Sequence, residues 1–231
     1  MSSYFGVSIS TEYVIALHRE SKGIMYIKNA PGVDFDAELI EKFRRAINFE
    51  EIELPTTEGD IEQASIKGKY VIIRAGKMIF VAIIINQKPN RFSREALHSF
   101  GIRFESRWGR EINKFYDEHQ GDVKIFHEHS DTRASVDDLI EDVFHLNLSL
   151  PHKLGLPLNK IKDKLTRAVW GIAENLVRGR GYIFLSELVE AAKNNLSREV
   201  VYINDSIFEL CSRGLLIPIP LDEFIEKYQK V

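Results

Sequence analysis

The sequence predicts an α+β chain: a mainly antiparallel five-stranded sheet with helices on both faces, followed by a small, mostly helical C-terminal domain. Three observations carry this. The run Met78–Ile85, MIFVAIII, is large and apolar at every position but Ala82. A strand with one face in water alternates, and this one does not, so both of its faces are covered. Helical patterns stand both before and after the last three strands of the first half, so they can lie on opposite sides of one sheet. Finally, LSLPHKLGLPLNK carries two prolines and a glycine and precedes a region of helical pattern. It places a linker at residues 151–160, between a first domain of residues 1–150 and a second of residues 161–231.

Each element has its own warrant. Val7–Ile9 reads as the start of a strand and Tyr13–Leu17 as a full one, since both are β-branched or aromatic. Ser21-Lys22-Gly23 is a turn, and Ile24–Ile27 returns as the second arm of a hairpin. After Pro31-Gly32, residues 34–48 are helical, with Leu39, Ile40, Phe43 and Ile47 at three- and four-residue spacing. Asp34, Asp36 and Glu38 sit in its first turn, where the helix dipole favours acids. Residues 50–60 form a polar loop, longer than most connections. Ile61–Ile66 alternates and reads as an edge strand. Tyr70–Ile73 and Met78–Ile85 form a second hairpin, turning at Ala75-Gly76-Lys77. A long helix follows over residues 93–116, its stripe running Leu97, Phe100, Phe104, Trp108, Ile112, Phe115. Gly121 breaks it, Val123–Phe126 is short, and Val136–Phe144 is a further helix.

In the second domain, residues 165–177 are helical and Gly179–Gly181 is a turn. Tyr182–Phe184 is a very short strand. Ser186 stands as N-cap of a helix to Asn194, and Ser197 as N-cap of another, residues 198–212. Gly214 takes the C-terminal glycine position. Leu215–Ile219 is a closing strand, and residues 222–229 a last short helix. Three helices followed by a strand is the plan of a winged-helix domain.

Composition bounds the function. The net charge of −3 argues against nucleic-acid affinity driven by overall charge. The single cysteine, Cys211, cannot close an intramolecular disulfide, which points to a reducing compartment. No apolar run approaches the roughly 20 residues of a bilayer-spanning helix. The start, MSSYFGVSIS, has neither the pattern of a signal peptide nor a lipidation signature. The expectation is a cytoplasmic protein.

Candidate chemistry is sparse. His127 and His129, with Glu128, Asp131 and nearby His119, could ligate a divalent ion, but His-x-His in a loop is a weak signal, and solvation accounts for it as well. Gly179-Arg180-Gly181 lacks the Walker and dinucleotide patterns and reads as a helix-ending turn. Cys211 has no adjacent histidine and reads as a packing residue. No G-x-S-x-G, H-E-x-x-H or C-x-x-C occurs. The expectation is a protein that is not an enzyme and holds no cofactor or metal.

A winged-helix plan raises DNA binding. Residues 152–231 hold 12 Lys and Arg against 10 Asp and Glu, while the remainder holds 19 against 24. The helix that would enter a groove offers Arg198, Asn204 and Arg213, but also Glu199, Asp205 and Glu209, which repel phosphates. Nucleic acid is therefore disfavoured against protein docking. A transcription regulator with an N-terminal sensor domain stands as the alternative reading.

Residues 12–148 resemble the longin domain and, more loosely, the roadblock fold. The resemblance rests on the hairpin VIALHRESKGIMYI, the helix DAELIEKFRRAI, then KYVIIRAGKMIFVAIII, REALHSFGIRFESRWGREINKFY and the closing VDDLIEDVFHL. The segment before residue 12 and the 50–60 loop depart from a minimal longin pattern and leave open an extra N-terminal strand. The resemblance implies a trafficking or GTPase-linked adaptor without a catalytic site. Such domains bind small GTPases, pair with one another, including as homodimers, or receive a peptide beside the first helix. A longin-like domain followed by a winged-helix-like one is similar to small archaeal proteins thought to accompany Ras-like GTPases. The edge strand's Ile61 and Ile66, with Phe43, Ile47 and Phe49 of the first helix, are then the candidate partner-binding residues. Phe43 and Ile47 also fit a purely core role, which leaves Phe49 as the stronger candidate.

Overall fold

The computed structural model describes residues 2–118, 130–156 and 161–228. The chain divides by contact into two compact units, residues 10–145 and residues 1–9 with 146–231. The chain opens with a helix, α1 (Ser2–Ser10). Val7–Ile9 is therefore helical and not the start of a strand, and no strand precedes Thr11 in the sheet. A three-residue apolar run cannot separate strand from helix by pattern. Burial settles it: Val7 is buried, and Ile9 packs against the core of the C-terminal unit.

Residues 10–145 build one antiparallel sheet of five strands: β1 (Thr11–His18), β2 (Ile24–Asn29), β3 (Ile61–Ile66), β4 (Lys69–Ala75) and β5 (Ile79–Ile85). Their order is β2-β1-β5-β4-β3, which puts β5 at the centre. All seven residues of β5 are buried, the outcome its lack of alternation demands. One face of the sheet lies under helix α2 (Ala37–Asn48). There Tyr13, Ile15, Ile73, Ala82 and Ile84 pack with Leu39, Phe43 and Ile47. The other face carries helix α3 (Arg91–Glu118), which lies on β4 and β5 and against helix α4 (Ser130–Phe144). Leu97, Phe100, Phe104, Trp108 and Ile112 of the α3 stripe are all buried. Phe100 packs at a tilt against Phe104 and against Phe144 of α4, each with ring centroids 5.6 Å apart.

Polar contacts fix the layers. Helix α2 starts later than its acidic run suggests, because Asp36 acts as the N-cap and accepts Leu39 N–H at 2.9 Å. Buried Tyr13 donates to Asp34 O at 2.8 Å and accepts Asp36 N–H at 2.9 Å, which sets the approach to α2. Asp137 of α4 takes the Tyr26 hydroxyl and Lys28 Nζ of β2. Glu105 of α3 accepts Met78 N–H at 2.7 Å beneath the β4–β5 turn, and a Cβ on Gly76 would sit 2.5 Å from its Oε1. Arg74 is 2 % exposed on the α3 face, where its Nε donates to His98 Nδ1 at 3.0 Å.

The C-terminal unit holds a three-stranded sheet in the order β7-β6-β8. Its strands are β6 (Pro151–Leu154), β7 (Ile183–Phe184) and β8 (Leu216–Pro218). Helices α5 (Lys164–Val177), α6 (Leu185–Leu196) and α7 (Val200–Ser212) pack on it, and α8 (Leu221–Tyr228) follows. Val169, Trp170, Leu188, Ile203, Ile207 and Leu216 are at the core. The first part of the expected linker is thus the central strand of this sheet. Pro151 stands at its first position, where a missing N–H costs least, and its carbonyl accepts Ile219 N–H at 2.7 Å. The sheet therefore draws its central strand from before the helices, beyond the plan of three helices and a closing strand.

Two expected caps move. The α6 N-cap is Phe184, whose N–H is taken by Glu187, and Ser186 lies inside the first turn. Ser197 instead ends α6 with φ 47°, and Glu199 begins α7. Gly214 does end α7, with φ 66°. Gly214 N–H reaches Cys211 O and Leu215 N–H reaches Leu210 O, both at 2.9 Å, the paired bonds of a Schellman closure.

Candidate functional site

Strand β3 lies at the end of the sheet and pairs only with β4 among the described residues. A two-residue turn, Lys67-Gly68, holds its register, with φ of 49° and 76°. That is a type I′ geometry, which a glycine at the second position favours. Lys67 Nζ reaches back to Glu38 at 2.9 Å and Asp36 at 3.8 Å, tying the turn to the start of α2. The Leu39 N–H and nearby Lys67 hold the Asp36 carboxyl below its ordinary value, and hydrogen bonds from Lys67 and Lys42 do the same for Glu38.

The five candidate partner-binding residues separate. Phe43, Ile47 and Ile66 come together, but inside the core between α2 and the sheet. Ile61 is half-buried on β3, and Phe49, just past the end of α2, is 74 % exposed. On β3, Glu62, Gln63 and Ser65 are exposed, Glu62 on the face of Ala64 and Ile66 and the other two on the opposite face. What the edge offers is therefore backbone and polar side chains, with Phe49 as a separate apolar anchor.

A cavity of about 630 Å³ opens where α2 ends and the 50–60 loop crosses the ends of β1 and β5. Ile47, Ile52, Leu54, Pro55 and Phe80 give it apolar walls, and Arg19, Lys22, Glu50 and Glu53 give it charge. Its size is that of small-molecule sites. Arg19 is the clasp. Its guanidinium donates to Gly76 O and to Thr56 O and lies 5.8 Å over the Phe80 ring. It thereby ties the loop to the β4–β5 turn. The loop is further pinned by Ile52 N–H to Ala46 O at 3.1 Å and Gly59 N–H to Ala75 O at 2.8 Å.

Two residues at this cavity carry backbone strain. Lys22 has φ 55° and Glu50 φ 59°, a region that disfavours a Cβ, and their side chains face each other at 3.7 Å. The left-handed conformation costs a non-glycine residue roughly 1–2 kcal/mol. Glu50 is 84 % exposed, so its ion pair contributes little. Glu50→Gly is accordingly expected to raise stability by about 1 kcal/mol, read as a higher urea midpoint at unchanged slope.

Sequence reasoning does not find this cavity. Arg19, Lys22, Glu50 and Phe80 come from a strand end, a turn, a helix end and a strand start, and no spacing links them. The long 50–60 loop was the one available signal.

The remaining candidates divide. His119, His127 and His129 lie outside the described residues. Among the described residues no group of three or more His, Cys, Asp or Glu is placed to hold a metal ion, and no helix is long and apolar enough to cross a membrane. Cys211 packs against the C-terminal core, where burial pushes its thiol up to about 12, which disfavours the thiolate at neutral pH. His152 is fully buried in β6, with Nδ1 2.8 Å from Leu150 O and no partner for Nε2 among the described residues. On α7, Val200, Val201 and Tyr202 are exposed beside Arg198 and Glu199. No known protein family matches the chain, and no curated protein matches it either.

Proposed function

We propose that the chain is a non-enzymatic adaptor or regulator whose first unit, longin-like in plan, docks a small Ras-like GTPase or another longin or roadblock domain. The observation that carries this is the edge strand β3. Its backbone has a strand on one side alone among the described residues, its exposed side chains Glu62, Gln63 and Ser65 are polar, and a sheet covered on both faces holds it in place. Such an edge accepts a further strand through main-chain hydrogen bonds. The element order strand, strand, helix, three strands, helix, helix, on which the resemblance rests, also supports it. Phe49 supplies an exposed aromatic of the kind that anchors interfaces. The C-terminal unit acts as a second protein-docking module. Its α7 surface mixes exposed Val201 and Tyr202 with the acids Glu199 and Asp205, a poor match for phosphates.

The test is binding of the full chain to the small GTPases of its own genome, each loaded with GDP or a non-hydrolysable GTP analogue. At least one is expected to bind, and Phe49→Asp to weaken it about tenfold or more without changing the unfolding midpoint. Absence of binding to every GTPase and to longin-like or roadblock-like chains, itself included, removes the proposal. Salt-sensitive binding to duplex DNA in its place would turn the reading to a transcription regulator.

A further inference from the structure

We infer that the cavity beneath the 50–60 loop binds a small apolar carboxylic acid, whose carboxylate takes the place of Glu50 at Lys22. This is independent of docking at β3. The apolar walls, Ile47, Ile52, Leu54, Pro55 and Phe80, suit a hydrocarbon or aromatic body. The charged groups suit an anionic end. Arg19 is held by two backbone carbonyls and an aromatic face, none of which discharges it, and it keeps further N–H groups to donate. Lys22 has Glu50 opposite, but at 3.7 Å and on a carboxylate that is 84 % exposed. So loose a pair exchanges easily: a ligand carboxylate can take Glu50's position at Lys22 while Glu50 turns into water. Glu53, also at the cavity, stays to balance the charge.

The backbone gives an independent reason to look here. Lys22 and Glu50 both stand in the left-handed region, where glycine fits best, and both line the same cavity. Strain held at two facing charged residues is the pattern of a ligand clamp.

The pair also fixes the sign of each substitution. Lys22 attracts the ligand, and Glu50 competes with it. Glu50→Gln keeps the side-chain length, Lys22→Gln shortens it by one atom, and neither alters the backbone requirement.

The experiment is calorimetric titration of the full chain with decanoate and, in parallel, with decan-1-ol, below their aggregation limits. The expected result is saturable binding of decanoate with one site, and binding of the alcohol about tenfold weaker or worse. Lys22→Gln is expected to weaken decanoate about tenfold and Glu50→Gln to strengthen it several-fold, with little effect of either on the alcohol. Circular dichroism confirms that each variant is folded, and either variant alone decides the direction. Absence of decanoate binding, equal binding of acid and alcohol, or a shift of both variants in the same direction overturns the inference.

Discussion

Acidification from pH 7 to pH 4.5 is expected to cost the C-terminal unit about 2–3 kcal/mol through one side chain, His152. The imidazole is fully buried at the centre of the small sheet. A carbonyl can only accept, so the 2.8 Å contact to Leu150 O places the proton on Nδ1 and leaves Nε2 as a buried acceptor without a donor among the described residues. A second proton would put a charge where no carboxylate among the described residues meets it. Burial accordingly pushes the histidine down from its ordinary 6.5 to about 4. Between those values the unfolded chain binds a proton that the folded chain refuses, so stability falls as pH drops through 6.5 and levels off near 4. His18 in the first sheet is shifted down by burial too, so the measurement must see one unit. Trp170 lies in the C-terminal core and Trp108 in the first unit, and Trp108→Phe leaves Trp170 as sole reporter. Urea unfolding followed by its fluorescence should show the loss between pH 6.5 and 4.5. His152→Leu should flatten that window. An unchanged slope in the variant would assign the acid sensitivity elsewhere. The carboxyls of Asp163 and Glu187, held low by the Thr166 N–H and by Arg180, take effect at lower pH still, below their ordinary values.

Ile83→Ala and Ile84→Ala are expected to destabilise the first unit by about 2–5 kcal/mol each. The two residues are neighbours on β5 and point to opposite faces. Ile84 packs in the layer beneath α2. Ile83, paired with Ile72 on β4, faces the α3 side, and both are fully buried. A sheet with one wet face would make one of the two substitutions nearly silent, within about 0.5 kcal/mol. Similar losses for both, from urea unfolding monitored at Trp108, are the expectation here.

How far the sequence could be read follows from how local each signal is. Long periodic stretches were legible: the unbroken Met78–Ile85 run, the α3 stripe from Leu97 to Ile112, and the alternation that makes Ile61–Ile66 an edge. The first two report burial residue by residue; β3 is an edge as expected, though its burial does not strictly alternate. Short segments were not. Val7–Ile9 and Pro151–Leu154 owe their states to distant partners, the C-terminal core for one and two flanking strands for the other. Ser186 and Ser197 look like caps by composition, yet backbone geometry gives those positions to Phe184 and Glu199. Of the candidate contact residues, periodicity could not tell Phe43 and Ile47, which face the sheet, from a docking face. It could only mark Phe49 as lying past the helix. The cavity was out of reach, since Arg19, Glu50 and Phe80 meet only through tertiary structure.

Hydrogen–deuterium exchange at the Ile61–Ile66 amides tests the docking proposal most directly. In the chain alone, the amides on the outer side of β3 should exchange quickly while those of β5 stay protected. Addition of a bound GTPase, or of a longin-like partner, should slow exchange in β3 and around Phe49. Protection that appears elsewhere while β3 continues to exchange at its free rate would contradict it.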